Sequence, residues 1–397
     1  MKPLRILLVL NELPLPFGHA VGRWYYVLLR GLVERGHRVT AFASCSKPEE
    51  IARASELFPA PNYDLRLYPP SRRYGLWSKW QTLRRPYSYS ISPALRRDVR
   101  TEYSRGCDVL HLEGIWSGWL SEGCDPAKTV LNFHSLYDID LEHQPAADWR
   151  AWLERALRRR AESRLLRSCA ALLTLTPRLQ EAVRHIAPKT PVHVVPLALD
   201  LTYYPYASAD QRPTGSVISV IGSMDWYPSR SAAERLLTRL SPAIRLRVPT
   251  SEVQIVGWRA REALQTYLPL PGVTVMENVP DTRPYFERTS VLLYAPVRGS
   301  GMKVKVMEAF AYGVPVVTTT EGVEGLPAQD RIHAGICDHD GGLVERTVGL
   351  LTDFARQERQ RRAARSLVEV HCSPHTVLDC LEDSYDRLLA RRGRLVA

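Results

Sequence analysis

Residues 296–317 carry the densest group of side chains able to do chemistry, Pro-Val-Arg-Gly-Ser-Gly-Met-Lys-Val-Lys-Val-Met-Glu-Ala-Phe-Ala-Tyr-Gly-Val-Pro-Val-Val. An apolar strand ends near Ala295, Gly299-Ser300-Gly301 make a loop of small residues, and a helix is predicted to begin near Met302. The first turn of a helix leaves backbone N–H groups without intrahelical partners, and small residues let an anion reach them. Lys303 in that turn opposes the positive end of the helix dipole, which makes sense with an anion bound between them. Lys305 and Glu308 share a helix face, and a carboxylate there can accept both hydroxyls of a ribose. A plain βα turn with solvated lysines would read the same way. Neither a Gly-Lys-Ser/Thr phosphate loop nor a complete Gly-x-Gly-x-x-Gly is present.

Strands alternating with helices must hold this segment in place. Residues 6–10 form an apolar run that ends in Asn11-Glu12-Leu13-Pro14 without a small-residue cleavage site, so it reads as a buried strand and not as a signal peptide. Residues 24–35 are helical in pattern, with Tyr25, Leu28, Leu29 and Leu32 on one face. Further strands are expected at 38–43, 109–112, 129–133, 171–175 and 192–195, with a helix at 149–168. A second alternating series follows: strands at 217–221, 253–256, 273–275, 291–294 and 314–318, and helices at 229–240 and 303–312. Such alternation predicts an α/β protein with doubly wound parallel sheets. The chain of 397 residues suggests two domains, 1–197 and 198–373, with the helical segment 374–397 packing back onto the first. A ligand cleft is expected between them, beyond the carboxyl ends of the strands.

Composition narrows the classes. The 45% hydrophobic and 24% charged side chains exclude a disordered or fibrous chain. No apolar run approaches the roughly 20 residues that span a bilayer. The seven cysteines are scattered and contain no Cys-x-x-Cys, which suggests reduced thiols in a cytoplasm. His371, Cys372, His375 and Cys380 match no common zinc spacing, so no metal site is expected. The net charge of +11 favours an anionic partner: nucleic acid, an acidic membrane surface or a phosphorylated substrate.

The 296–317 segment resembles the donor-site signature of the GT-B glycosyltransferases of group 1, also called family 4. Their helix reads Glu-x7-Glu, with Ala-Met/Phe-Ala-x-Gly-x-Pro-Val-Val after the second acid, and residues 308–317 follow that pattern. Ser300 stands where the first acid belongs, as in a branch reading Gly-x-Gly-x-Lys-x-Lys-x-x-Glu-Ala. In the family the first acid helps hold the donor sugar. Ile221-Gly222-Ser223-Met224 resembles the opening of the second domain, with Ser223 in place of an Arg that meets the diphosphate. Val279-Pro280-Asp281 with Tyr285 matches an element whose backbone meets the base. Asp108-Val109-Leu110-His111-Leu112-Glu113 is similar to an Asp-Val-x-His-x-His strand, and His111 reads as a satisfied strand-end histidine.

The resemblance implies two Rossmann-like domains facing a deep cleft, a nucleotide-diphosphate sugar donor, no cofactor and no metal. It assigns donor binding to Gly18, His19, Gly222, Ser223, Val279, Gly299, Ser300, Gly301, Met302, Lys303, Lys305 and Glu308. Within that set Glu308 would hold the ribose, and the lysines with the loop would hold the diphosphate. His134, Lys303 and Glu308 would carry the chemistry, with His134 orienting or polarising at the transferred sugar. Asp138-Ile139-Asp140 is the metal tripeptide of a different glycosyltransferase fold and is read here as loop acids. The expected reaction retains anomeric configuration and serves cell-surface polysaccharide or other glycoconjugate assembly, on a lipid-linked glycan or small-molecule acceptor. A nucleotide-sugar epimerase and a non-catalytic binding or scaffolding relative are the rival readings.

Two basic stretches remain. Residues 71–100 hold eight Lys/Arg against one Asp, with Tyr74, Trp77, Trp80, Tyr87 and Tyr89 interleaved. Residues 149–167 hold seven Arg against two Glu, with Trp149, Trp152, Leu153, Ala156 and Leu157 as an apolar stripe. They read as amphipathic surface helices, or as peripheral docking on the anionic inner face of a plasma membrane. No recognised module supports nucleic-acid binding.

Overall fold

The computed structural model describes residues 2–45, 47–71, 85–88, 91–140, 148–208 and 215–396. They divide into two units. Unit 1 comprises residues up to Asp138, from Gln144 to Leu199 and from Pro374 onward; unit 2 runs from Asp200 to Ser373 and also takes in Ile139 and Asp140.

Unit 1 is built on β1 (Arg5–Leu10), β2 (Arg38–Ser44), β3 (Asp64–Tyr68), β4 (Val109–Glu113), β5 (Thr129–Phe133), β6 (Ala171–Thr174) and β7 (Val192–Val194). They form one sheet in the order β3-β2-β1-β4-β5-β6-β7, with every pairing parallel. Every residue of β4 and β5 is buried, as expected for central strands covered by helices on both faces. The strand order reverses between β1 and β4, which opens a crevice at their carboxyl ends.

The helix Ala20–Glu34 buries Tyr25, Leu28, Leu29 and Leu32 on the predicted face, but it begins four residues before the predicted start at 24. The carboxy-terminal helix Pro374–Val396 packs on it within unit 1. A Cβ on Gly31 would come 2.2 Å from Leu378 Cδ1, so a residue without a side chain lets the two helices approach. Arg35 clamps the contact to Asp379 and Glu382, both at 2.7 Å, and buried His37 reaches Glu382 at 2.8 Å.

Unit 2 holds β8 (Val217–Ile221), β9 (Glu252–Gly257), β10 (Val273–Glu277), β11 (Val291–Tyr294), β12 (Val316–Thr318) and β13 (Gly335–Ile336), also all parallel, in the order β10-β9-β8-β11-β12-β13. Its reversal lies between β8 and β11. The helix Val304–Tyr312 starts beyond the end of β11 and stops at Gly313, whose φ of +69° is the left-handed turn that ends a helix. Arg361, fully buried, donates to Gly313 O at 2.7 Å, and Arg365 donates to Ala311 O at 2.5 Å. These cations satisfy carbonyls at the negative end of the helix and hold it in place.

Among the described residues no helix is long and apolar enough to cross a membrane. All seven cysteines are free thiols.

Candidate functional site

The loop after β11 is held by carboxylates. Glu321 accepts the Gly299 N–H at 3.2 Å and lies 3.1 Å from Arg298. Asp140 Oδ1 accepts both the N–H and the hydroxyl of Ser300, each at 2.7 Å. Lys303 Nζ donates to Gly301 O at 2.6 Å and lies 3.5 Å from Glu324. Lys305 Nζ sits 2.7 Å from Glu308 Oε2, and the Tyr204 hydroxyl is 3.5 Å from the other oxygen. Gly301 takes the turn with a φ of +75°, and buried Met302 follows it.

The geometry revises the expectation for Lys303. The helix begins at Val304, and Lys303 is its N-cap residue with its side chain 4% exposed. Its ammonium turns back to the loop carbonyl and Glu324, so a protein carboxylate already answers the charge for which a bound anion had been expected. Lys305 and Glu308 do share a face. Glu308 is fully buried, and Lys305 is the cation beside it.

Asp140 is the residue that sequence reasoning passed over. It lies 160 positions from Ser300 and had been set aside as a loop acid. Burial pushes its carboxyl up to about 6, beyond what the two Ser300 hydrogen bonds and the nearby Lys303 pull back. No spacing in the sequence announces the meeting; Asp140 is the last residue of the short helix Tyr137–Asp140.

The other residues expected on the donor side sit at the carboxyl ends of neighbouring strands. Gly222 follows β8, and a Cβ there would fall 2.6 Å from Ser229 Oγ. A Cβ on Gly257, at the end of β9, would lie 1.6 Å from Gly222 O. A Cβ on Gly299 would meet Pro228 Cγ at 2.6 Å, so Gly222 and Gly299 both make room for the first turn of the helix Tyr227–Arg235. Ser223 is exposed and Val279, after β10, is half-buried.

Unit 1 gathers a second cluster at the ends of β4 and β5. Glu113, fully buried, accepts from Trp24 Nε1 at 3.1 Å, Asn132 Nδ2 at 3.0 Å and His134 Nε2 at 2.9 Å. His111 Nε2 lies 3.0 Å from it, and the other ring nitrogen of His111 bonds the Tyr385 hydroxyl. Burial would raise the Glu113 carboxyl, but hydrogen bonds from His111 and His134 outweigh it and hold it well below the usual range. His134 is thus fixed by a carboxylate, with its side chain 17% exposed and the Tyr25 ring 6.3 Å away. Glu113 occupies the last position of the Asp-x-x-His-x-His pattern, and that departure was the signal available in the sequence.

Gly18 has a φ of +82° with open space around its missing Cβ. His19 precedes the helix Ala20–Glu34, 81% exposed, and pairs with Glu12 at 3.1 Å. That hydrogen bond raises the histidine above its ordinary value. Among the described residues no group of three His, Cys, Asp or Glu side chains is arranged to hold a metal ion.

The profile described as Glycosyltransferase Family 4 matches residues 21–203, and that described as Glycosyl transferases group 1 matches residues 215–353. No protein of curated function matches the chain. Solved structures do. Sucrose-phosphate synthase from Thermosynechococcus elongatus is 16% identical with a TM-score of 0.72, over 98% of this chain and 99% of that one. HepE from Anabaena, solved with UDP and glucose, is 11% identical with a TM-score of 0.68, over 97% and 100%. WaaG, a glycosyltransferase involved in lipopolysaccharide biosynthesis, is 13% identical with a TM-score of 0.63, over 96% and 99%. At these identities the likeness shows the fold, GT-B with two Rossmann-like domains.

Proposed function

We propose a reaction for this chain from one premise: it belongs to the glycosyltransferases of family 4 and group 1. It transfers a sugar from a nucleoside diphosphate to an acceptor hydroxyl. Unit 2 holds the donor, with Glu308 on the ribose and the start of the helix Val304–Tyr312, Lys303 and Lys305 on the diphosphate. The observation that carries this reading is the charge pairing of the loop: its N–H groups and ammonium groups are already set against anionic oxygens, from Glu321, Asp140, Glu324 and Glu308. Donors placed this way suit phosphate oxygens, and the lysines reach them by exchanging a carboxylate for a phosphate.

As the glycosidic bond breaks, negative charge gathers on the departing diphosphate. Fixed N–H groups and ammonium groups aimed at that charge lower the barrier more than they stabilise the bound donor. The proposal includes retention of configuration by a front-face path, in which the leaving phosphate takes the acceptor proton. His134, oriented by Glu113, polarises an incoming hydroxyl. No metal is assigned a role, and the diphosphate charge is met by lysines and backbone.

The test is thermal unfolding of the protein with UDP, GDP, ADP, TDP and CDP, each with and without EDTA. One nucleotide at about 100 times its dissociation constant is expected to stabilise by roughly 2.7 kcal/mol, unchanged by EDTA. No shift from any of the five would sink the donor-site reading, and a shift abolished by EDTA would sink metal independence.

The acceptor side of the proposal is a glycan carried on a lipid, reached at an anionic membrane surface. The helix Trp149–Leu166 supports it: Trp149 is 69%, Trp152 64% and Leu153 40% exposed, on one face with Ala156 and Arg160. The predicted stripe therefore points to solvent, except Leu157, which is half-buried. Amphipathic aromatics settle at the headgroup level, and arginines near an anionic surface add roughly 1 kcal/mol each. In the other basic stretch Tyr74, Trp77, Trp80 and Tyr89 lie outside the described residues, and Tyr87 packs on Trp116 with ring centroids 4.8 Å apart. The protein is expected to co-sediment with phosphatidylglycerol vesicles and not with phosphatidylcholine vesicles, and Trp149→Ala with Trp152→Ala to release most of it. Equal binding to both lipids, or to neither, would remove the membrane from the proposal.

A further inference from the structure

We infer that Asp140 is a ligand of the donor sugar: held by Ser300 beside the helix Val304–Tyr312, its carboxylate accepts a hydroxyl of the sugar carried on the diphosphate. The inference rests on the donor-site reading above and adds the part of the donor that reading leaves unheld.

Three observations lead to it. The side chain is anchored at one oxygen only. Oδ1 takes both Ser300 hydrogen bonds, while Oδ2 has no hydrogen-bond partner among the described residues, although Asp140 is 2% exposed. A carboxylate anchored through one oxygen, with the acceptor capacity of the other unused, suits a ligand's hydroxyl. The anchor is also rigid. Backbone N–H and side-chain hydroxyl of one residue converge on one oxygen, which fixes the direction of the other. Finally, the place is right. Ser300 lies in the loop that leads directly into the helix assigned to the diphosphate, and the sugar is bonded to that diphosphate.

The charged groups facing Asp140 are Lys303, which favours its ionised form, and Glu324, which opposes it. With a carboxyl near 6, Asp140 is a charged hydrogen-bond acceptor in neutral solution, and on mild acidification it loses the charge that strengthens those bonds. A sugar nucleotide has no group that titrates in this range, so the pH dependence of its binding belongs to the protein.

Titration calorimetry with UDP-glucose, ADP-glucose and GDP-mannose, and with UDP, ADP and GDP, on wild type and Asp140→Asn tests the assignment. The asparagine keeps an oxygen for Ser300 and removes the charge. Affinity for the bound sugar nucleotide is expected to fall about tenfold or more, while the parent nucleoside diphosphate changes by less than about twofold. In wild type, sugar-nucleotide affinity is expected to fall between about pH 8 and about pH 5, and in the variant to stay level. This second readout stands even where the variant folds poorly. Unchanged sugar-nucleotide affinity would overturn the inference. A parallel fall for both ligands would make Asp140 a brace for the loop, and a parallel rise would make it a carboxylate that the diphosphate displaces; either replaces the sugar contact. Failure of wild type to bind any of the six ligands overturns the donor site itself, and this assignment with it.

Discussion

Replacing Glu308 by Gln is expected to lower affinity for the nucleoside diphosphate by about tenfold to a hundredfold and to lower turnover with it. The carboxylate is fully buried on the helix Val304–Tyr312, with Lys305 Nζ 2.7 Å from one oxygen and the Tyr204 hydroxyl 3.5 Å from the other. Two oxygens on one carbon match two neighbouring hydroxyls, and a charged acceptor strengthens both bonds. Glutamine keeps the volume but offers one oxygen and an NH2 that points donor at donor. The lysine then faces a neutral amide, and removing one member of a buried pair costs up to about 3–5 kcal/mol, less here because Lys305 keeps some solvent contact. Stability and recognition are separated by comparing the ribonucleotide with its 2′-deoxy form. Wild type is expected to prefer the ribose, and Glu308→Gln to lose that preference whatever its melting temperature. A variant that binds and discriminates as wild type does would remove Glu308 from the donor site.

Central parallel strands, buried on both faces, leave long apolar runs, and for that reason β1, β4, β5, β8, β9 and β11 were legible in the sequence. Two of the four edge strands lack that signature. β3 reads Asp-Leu-Arg-Leu-Tyr and is only partly buried, and β13 is two residues long; neither was predicted. The helices Pro48–Leu57, Pro93–Ser104 and Pro177–Ile186 were expected between strands but given no bounds, and Asp340–Thr352 and Phe354–His371 were not predicted. The first three open with Pro at the first turn, and they carry charged outer faces that dilute the apolar stripe. The candidate site was legible where its residues adjoin in sequence, as Lys305 and Glu308 do. It was not legible where the partner lies far away. Asp140 for Ser300, Glu321 for Gly299 and Glu113 for His134 are long-range pairings, which local spacing does not encode; strand order makes the last two, each within one sheet. Lys303 shows the converse. A cation at a helix start looks like half of an anion site when read locally, and in the structure the carboxylate of Glu324 lies 3.5 Å from it, in the place the proposal gives to a phosphate.

The second large effect is expected at Glu113. Its single carboxylate serves Trp24, Asn132 and His134, with His111 3.0 Å away, at the carboxyl end of β4. Alanine would leave these groups without their acceptor, and unit 1 is expected to lose about 3–5 kcal/mol, read as a large drop in melting temperature. Glutamine is the informative variant. It fills the same space, yet its NH2 meets donors, so His134 is no longer drawn into one orientation. If His134 works at the acceptor hydroxyl, turnover is expected to fall about a hundredfold while the KM for the donor, held by residues of unit 2, stays near wild type. A fall in donor affinity with unchanged turnover would contradict that division of labour. Acid unfolding gives an independent check. Because the folded state holds the Glu113 carboxyl below its unfolded value, the unfolded chain binds the proton more readily as pH falls. Its stabilising contribution is complete above about pH 4.3 and drains away below it. Glu113→Gln has no such group to protonate, so its stability is expected to decline less steeply than that of wild type below that pH. Equal slopes would mean that the two histidines do not hold the carboxylate in its charged form.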